Sequence, residues 1–88
     1  MIDVKQAYEI AKEFALKEEQ IKYLVSCKEL SEKYIFTFVE KLNKEITDDG
    51  VNIEVYKGNG QVDYYAFLEP ENMRSYAKAQ TIKLSTFK

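Results

Sequence analysis

Behind Asp3 the apolar residues Val4, Ala7, Tyr8, Ala11, Phe14 and Ala15 recur at the spacing of a helix with one apolar stripe. Ile10 widens the stripe on one edge, so this helix needs an apolar surface to lie on. Asp3 can cap the first turn, with Gln6 where a capping-box partner belongs. Glu13 and Lys17 stand in the favourable i, i+4 order on the wet side. From Ile21 the period becomes two. Ile21, Tyr23, Val25 and Cys27 alternate with Lys22, Leu24, Ser26 and Lys28, which predicts a strand with the first set on its apolar face. A turn over 29–32 leads into residues 34–42, rich in aromatic and β-branched side chains and apolar on both sides. Asp48-Asp49-Gly50 has turn chemistry, and Val51, Ile53 and Val55 mark a third strand. Gly58-Asn59-Gly60 is a hairpin signal, because its residues tolerate positive φ. Val62, Tyr64, Ala66 and Leu68 then alternate with Asp63, Tyr65 and Phe67 in a fourth strand. Pro70 stops it and suits the first position of a short helix with Met73, Tyr76 and Ala77 on one face. Residues 81–87 alternate again and predict a brief fifth strand, with continued helix or a loose tail as alternatives.

One helix followed by consecutive strands predicts an α+β fold: an N-terminal helix packed on one face of a four- to five-stranded antiparallel sheet, with a short helix or turn after Pro70. Beneath the helix the pattern places Ile21, Tyr23, Val25, Cys27, Val51, Ile53, Val55, Val62, Tyr64, Ala66 and Leu68. The strand over 34–42 must put one of its apolar halves outward. Turning the larger Tyr34, Phe36 and Phe38 inward leaves Ile35 and Val39 outside, beside Leu24, Tyr56, Tyr65 and Phe67. An outer face of that kind marks a contact surface, and it drives either association or docking of the C-terminal segment.

Length and charge narrow the functions. The chain has 88 residues, 45% of them hydrophobic, one proline and three glycines, which fits a single domain over residues 1–88. There is no histidine, which removes the Ser-His, Cys-His and His-metal constellations. Cys27 falls in phase with core residues and reads as a small hydrophobe. Asp48, Asp49, Asn52 and Glu54 lack the order of a calcium loop. Gly58 and Gly60 join two strands rather than opening a phosphate-binding helix. Glu40, Glu54 and Asp63 are the carboxylates that could act as an acid–base pair, but alternation turns many such residues to solvent. The chain therefore reads as a non-enzyme with no metal and no cofactor. Thirteen Lys and Arg against 15 Asp and Glu give a net charge of −2, which disfavours nucleic acid. Aromatic residues bordered by Glu54, Asp63 and Glu69 suit a basic protein partner better. No segment has the length of a membrane span or the form of a signal peptide, so a cytoplasmic location is expected.

The run Asp3-Val4-Lys5-Gln6-Ala7-Tyr8-Glu9-Ile10-Ala11-Lys12-Glu13-Phe14 resembles the opening helix of PepSY-like domains and of small immunity-protein domains from bacterial toxin systems. Those domains share an Ala-x-x-Ile-Ala-x-x-aromatic pattern. Val55-Tyr56-Lys57-Gly58-Asn59-Gly60-Gln61-Val62 is similar to their hairpin. The chain departs from PepSY domains in lacking an aspartate near the start of that turn, in its longer central strand and in having no export signal. The resemblance thus turns towards the immunity type, which implies a cytoplasmic protein that masks a toxin's surface and has no catalytic residues to carry over. The resulting expectation is a non-catalytic protein-binding module using Leu24, Ile35, Val39, Tyr56, Tyr65 and Phe67. A homodimer through the same face and a small apolar-ligand carrier are the alternatives.

Overall fold

A capping box opens α1 (Val4–Glu19): the Gln6 N–H donates to the Asp3 carboxylate at 2.8 Å, and the Asp3 N–H donates to the Gln6 side-chain carbonyl at 2.9 Å. The helix stops at Gln20, whose N–H still donates to the Leu16 carbonyl at 3.1 Å and whose left-handed backbone (φ 56) turns the Ile21 N–H back onto the Ala15 carbonyl at 3.3 Å. The computed structural model describes residues 1–21, 23–39 and 50–87. These residues form a five-stranded antiparallel sheet of β1 (Tyr23–Glu29), β2 (Lys33–Val39), β3 (Val51–Tyr56), β4 (Val62–Tyr64) and β5 (Gln80–Thr81), in the order β4-β3-β2-β1-β5. A second helix, α2 (Pro70–Lys78), joins β4 to β5, and a 3-10 turn spans Leu84–Phe87. The fold is α+β, as the pattern predicts. The expected continuation of β2 to Leu42 and the turn at Asp48-Asp49 lie outside the described residues.

Helix and sheet divide the core between small and large side chains. Ala7, Ala11 and Ala15 are fully buried on α1 and let the helix approach Phe36, Phe38, Ile53 and Val55 closely. Tyr34, Phe36 and Phe38 all turn inward, the orientation expected from their larger area. Gly60 closes the β3–β4 hairpin at φ +72, a backbone that favours glycine, and a Cβ there would also crowd the Ile10 Cδ1 atom at 3.3 Å.

Three expectations are corrected. First, the β1–β2 register shifts between Leu24 and Ser26, so Leu24 lies opposite Phe38 and packs against the helix-side core, while Tyr23 and Val25 are exposed. A single bulged residue inverts the faces of Tyr23 and Leu24, the strand residues before it. Second, β4 stops at Tyr64; the Tyr65 N–H still donates to the Asn52 carbonyl at 2.8 Å, but the chain then leaves the sheet and takes Ala66 and Leu68 out of the core. Third, the fifth strand is only Gln80–Thr81, paired with Lys28 and Glu29, and the chain continues into the 3-10 turn.

The last two corrections describe one feature. After β4, at one edge of the sheet, residues 65–79 carry the chain to the opposite edge, where β5 pairs with β1. The 3-10 turn then brings Phe87 to the helix side, 4.6 Å from the Tyr8 ring centre and 5.9 Å from that of Phe36. The segment from residue 65 to 87 is thus a strap that touches both faces of the sheet.

Candidate protein-binding cleft

The strap covers part of the outer face and leaves Tyr23 and Val25 of β1 exposed. Ile35 is 0% exposed and Tyr65 is 5% exposed. The Tyr65 hydroxyl donates to the Asn72 carbonyl at 2.8 Å, and Tyr76 from α2 sits edge-on to Phe67 with ring centres 4.9 Å apart. Tyr76 also shares a 3.4 Å hydrogen bond with Ser26 and lies beneath the Lys28 ammonium at 5.6 Å. Beside it, Lys33 donates to Glu54 at 2.8 Å and rests 5.1 Å from the ring centres of both Tyr56 and Tyr65. Burial opposes the charge on Lys33, but the Glu54 carboxylate outweighs it and holds the ammonium above its ordinary range. Of the six residues expected to meet a partner, Leu24 is on the other side of the sheet, and Ile35 and Tyr65 are buried. Tyr56, Val39 and Phe67 are half-buried, Tyr56 on Lys33 and Phe67 on Tyr76. The apolar outer face that the pattern predicts does exist, and the C-terminal segment covers part of it through Tyr65, against Lys33, and Tyr76, against Ser26 and Lys28.

Among the described residues, a cleft of about 630 Å³ lies between the start of β3 (Gly50, Val51 and Asn52) and residues 64–70. One wall is a tight turn. The Glu69 N–H donates to the Ala66 carbonyl at 3.2 Å, the Asn72 side-chain amide donates to the same carbonyl at 2.8 Å, and Phe67 and Leu68 occupy the middle of the turn. Phe67 is anchored on Tyr76, which leaves Leu68 projecting with 83% of its surface exposed. The other wall is Tyr64, still 45% exposed although its ring lies edge-on to Phe14 at 5.1 Å and its hydroxyl donates to Glu19 at 2.7 Å. The bond to Glu19, with Glu18 and Asp63 also nearby, pushes the Tyr64 hydroxyl up to about 12. Sequence periodicity assigned both Leu68 and Tyr64 to the core. The signal that could have moved Leu68 is Glu69-Pro70-Glu71, a helix start that needs a turn before it and so ends the strand early.

The candidate chemical groups are otherwise engaged. Burial pushes the Cys27 thiol up to about 12, with Glu29 adding to the effect, whereas a nucleophilic thiol would be pushed down. The fold therefore keeps the Cys27 proton above the ordinary value of 9.0, where the unfolded chain gives its proton up. Below that value Cys27 adds nothing, and above it stability falls by about 1.4 kcal/mol per pH unit until the folded thiol itself ionises. In urea titrations run from neutral to alkaline pH, the wild type should lose stability more steeply than Cys27→Ala; parallel curves would contradict this assignment. Glu54 and Asp63 face each other across β3 and β4, but Lys33 holds Glu54, and the Asp63 carboxylate accepts the Tyr64 N–H at 2.7 Å. Glu40, Asp48 and Asp49 lie outside the described residues. Among the described residues no group of three or more His, Cys, Asp or Glu is placed to hold a metal ion, and no helix is long and apolar enough to cross a membrane. Comparison with protein-family models, curated proteins and solved structures finds no match, so the PepSY-like and immunity-type resemblance rests on the first helix and one hairpin.

Proposed function

We propose that this chain is a non-catalytic protein-binding module that meets its partner through the cleft between Tyr64 and Leu68, and not through the sheet face beneath the strap. The observation that carries this reading is Leu68, a large aliphatic side chain displayed at 83% exposure on a turn held by two hydrogen bonds to the Ala66 carbonyl. A pre-ordered turn loses little further entropy on binding, and a leucine displayed beside the cleft offers apolar area for a partner to cover. An immunity-type inhibitor acting in the cytoplasm by masking a toxin surface is one specific form of such a module. A homodimer would use the outer face, where Ile35 and Tyr65 are buried and Tyr23 and Val25 remain exposed. The case for a ligand carrier needed a helix standing off the sheet, and Ala7, Ala11 and Ala15 bring it close.

Genomic fragments of the source organism displayed on phage and selected against the chain test this. Burying a leucine contributes about 1.5–3 kcal/mol, so Leu68→Ser should weaken the selected partner by about tenfold or more. Its effect on the stability of the free protein should stay within about 0.5 kcal/mol, as for other exposed sites. Partners indifferent to Leu68→Ser, or a large loss of stability in that variant, would overturn the proposal.

A further inference from the structure

Resting on that reading, we propose that the segment received by the cleft is cationic as well as apolar, with a lysine or arginine that seats on Tyr64 between the carboxylates of Glu18, Glu19 and Asp63. Twice within this fold a lysine is held by the same combination of tyrosine face and carboxylate. Lys33 lies over Tyr56 and Tyr65 and bonds Glu54. Lys57 lies 4.9 Å from the Tyr34 ring centre and bonds Glu29 at 2.7 Å. Tyr64 with Glu19 is a third such set, exposed on the wall of the cleft, and among the described residues no lysine or arginine rests on it or pairs with Glu18, Glu19 or Asp63.

The opposite rim has the same sign. Glu69 lines the cleft, Glu71 follows in the first turn of α2, and among the described residues neither forms an ion pair, Arg74 one turn further on included. An apolar cleft with acidic rims complements a segment that has an apolar residue near a basic one. The Glu19 bond fixes the tyrosine ring in place, so an arriving cation meets a preset ring face and carboxylate together. The individual exposed pairs are weak, about 0.2–1 kcal/mol each. Together they select for charge and make binding weaken as salt rises.

A phage library of random dodecapeptides, selected at low salt on the full chain and counter-selected on Leu68→Ser, tests this separately from the binding reading. The expected result is Leu68-dependent peptides with lysine or arginine close to an aliphatic or aromatic residue. Their affinity should fall by about tenfold in Glu18→Gln/Glu19→Gln/Asp63→Asn and decline with added salt. All three substituted side chains are exposed, so the variant should fold. Leu68-dependent peptides that are neutral or acidic, or that ignore the triple variant, would overturn the cationic assignment and leave the binding module standing. Failure to enrich any Leu68-dependent peptide would overturn both.

Discussion

Replacing Phe36 with alanine is expected to lower stability by about 3–5 kcal/mol, the usual cost of truncating a buried aromatic residue. A small domain has only about 5–15 kcal/mol in total, so the variant should be marginally folded at best. Phe36 is fully buried on the middle strand of the sheet. Its ring lies 6.1 Å from Tyr8, 6.4 Å from Tyr34 and 5.9 Å from Phe87, centre to centre, so it joins α1, β2 and the end of the strap in one cluster. The facing helix contributes alanines, which cannot extend to fill the space. The loss should therefore sit at the high end of the range, because a cavity that cannot collapse adds to the lost transfer energy. Urea unfolding of Phe36→Ala against the wild type measures it, and a loss under about 1 kcal/mol would mean that the aromatic cluster is not the core.

The second large effect is at Ile35, on the other side of the same strand. As part of an open partner surface, Ile35→Ser would change stability by less than about 0.5 kcal/mol. With no exposed surface, it should cost about 2–5 kcal/mol from lost burial, and the new hydroxyl adds a desolvation penalty if it finds no partner. Adjacent positions on β2 are thus both expected to be critical, which ordinary half-buried strands do not show. Unfolding measurements on Ile35→Ser distinguish the two situations directly.

Much of this architecture could be read from local pattern. The Asp3–Gln6 capping box, the stripe of α1, the alternation of Val51, Ile53 and Val55, the Gly58-Asn59-Gly60 turn and the helix opening at Pro70 all depend on neighbours within a few residues. The inward choice for Tyr34, Phe36 and Phe38 followed from side-chain area. What escaped is non-local. The slip at Leu24 and Ser26 is one residue in a strand whose two sides are both partly apolar, so no alternation score could detect it. Periodicity also showed that Ile35 and Tyr65 need cover without showing which segment supplies it. The strap hides this role because its helix is largely polar, with Glu71, Asn72, Arg74, Ser75 and Lys78, and its Tyr76 meets the sheet at Ser26 and Lys28. Leu68 escaped for the same reason: its strand phase is correct, but its strand ends before reaching it. The proposed binding site therefore lies where the alternation pattern fails.

Accessibility of residues 35 and 68 tests the buried part of the outer face and the open cleft together. Single cysteines introduced as Ile35→Cys and Leu68→Cys, each with Cys27→Ala to remove the native thiol, can be timed against Ellman's reagent under native conditions. The structure predicts that Leu68→Cys reacts at the rate of a free thiol. Ile35→Cys should react slower by about a hundredfold or more, through local opening or global unfolding alone. Equal rates at the two positions would contradict the account.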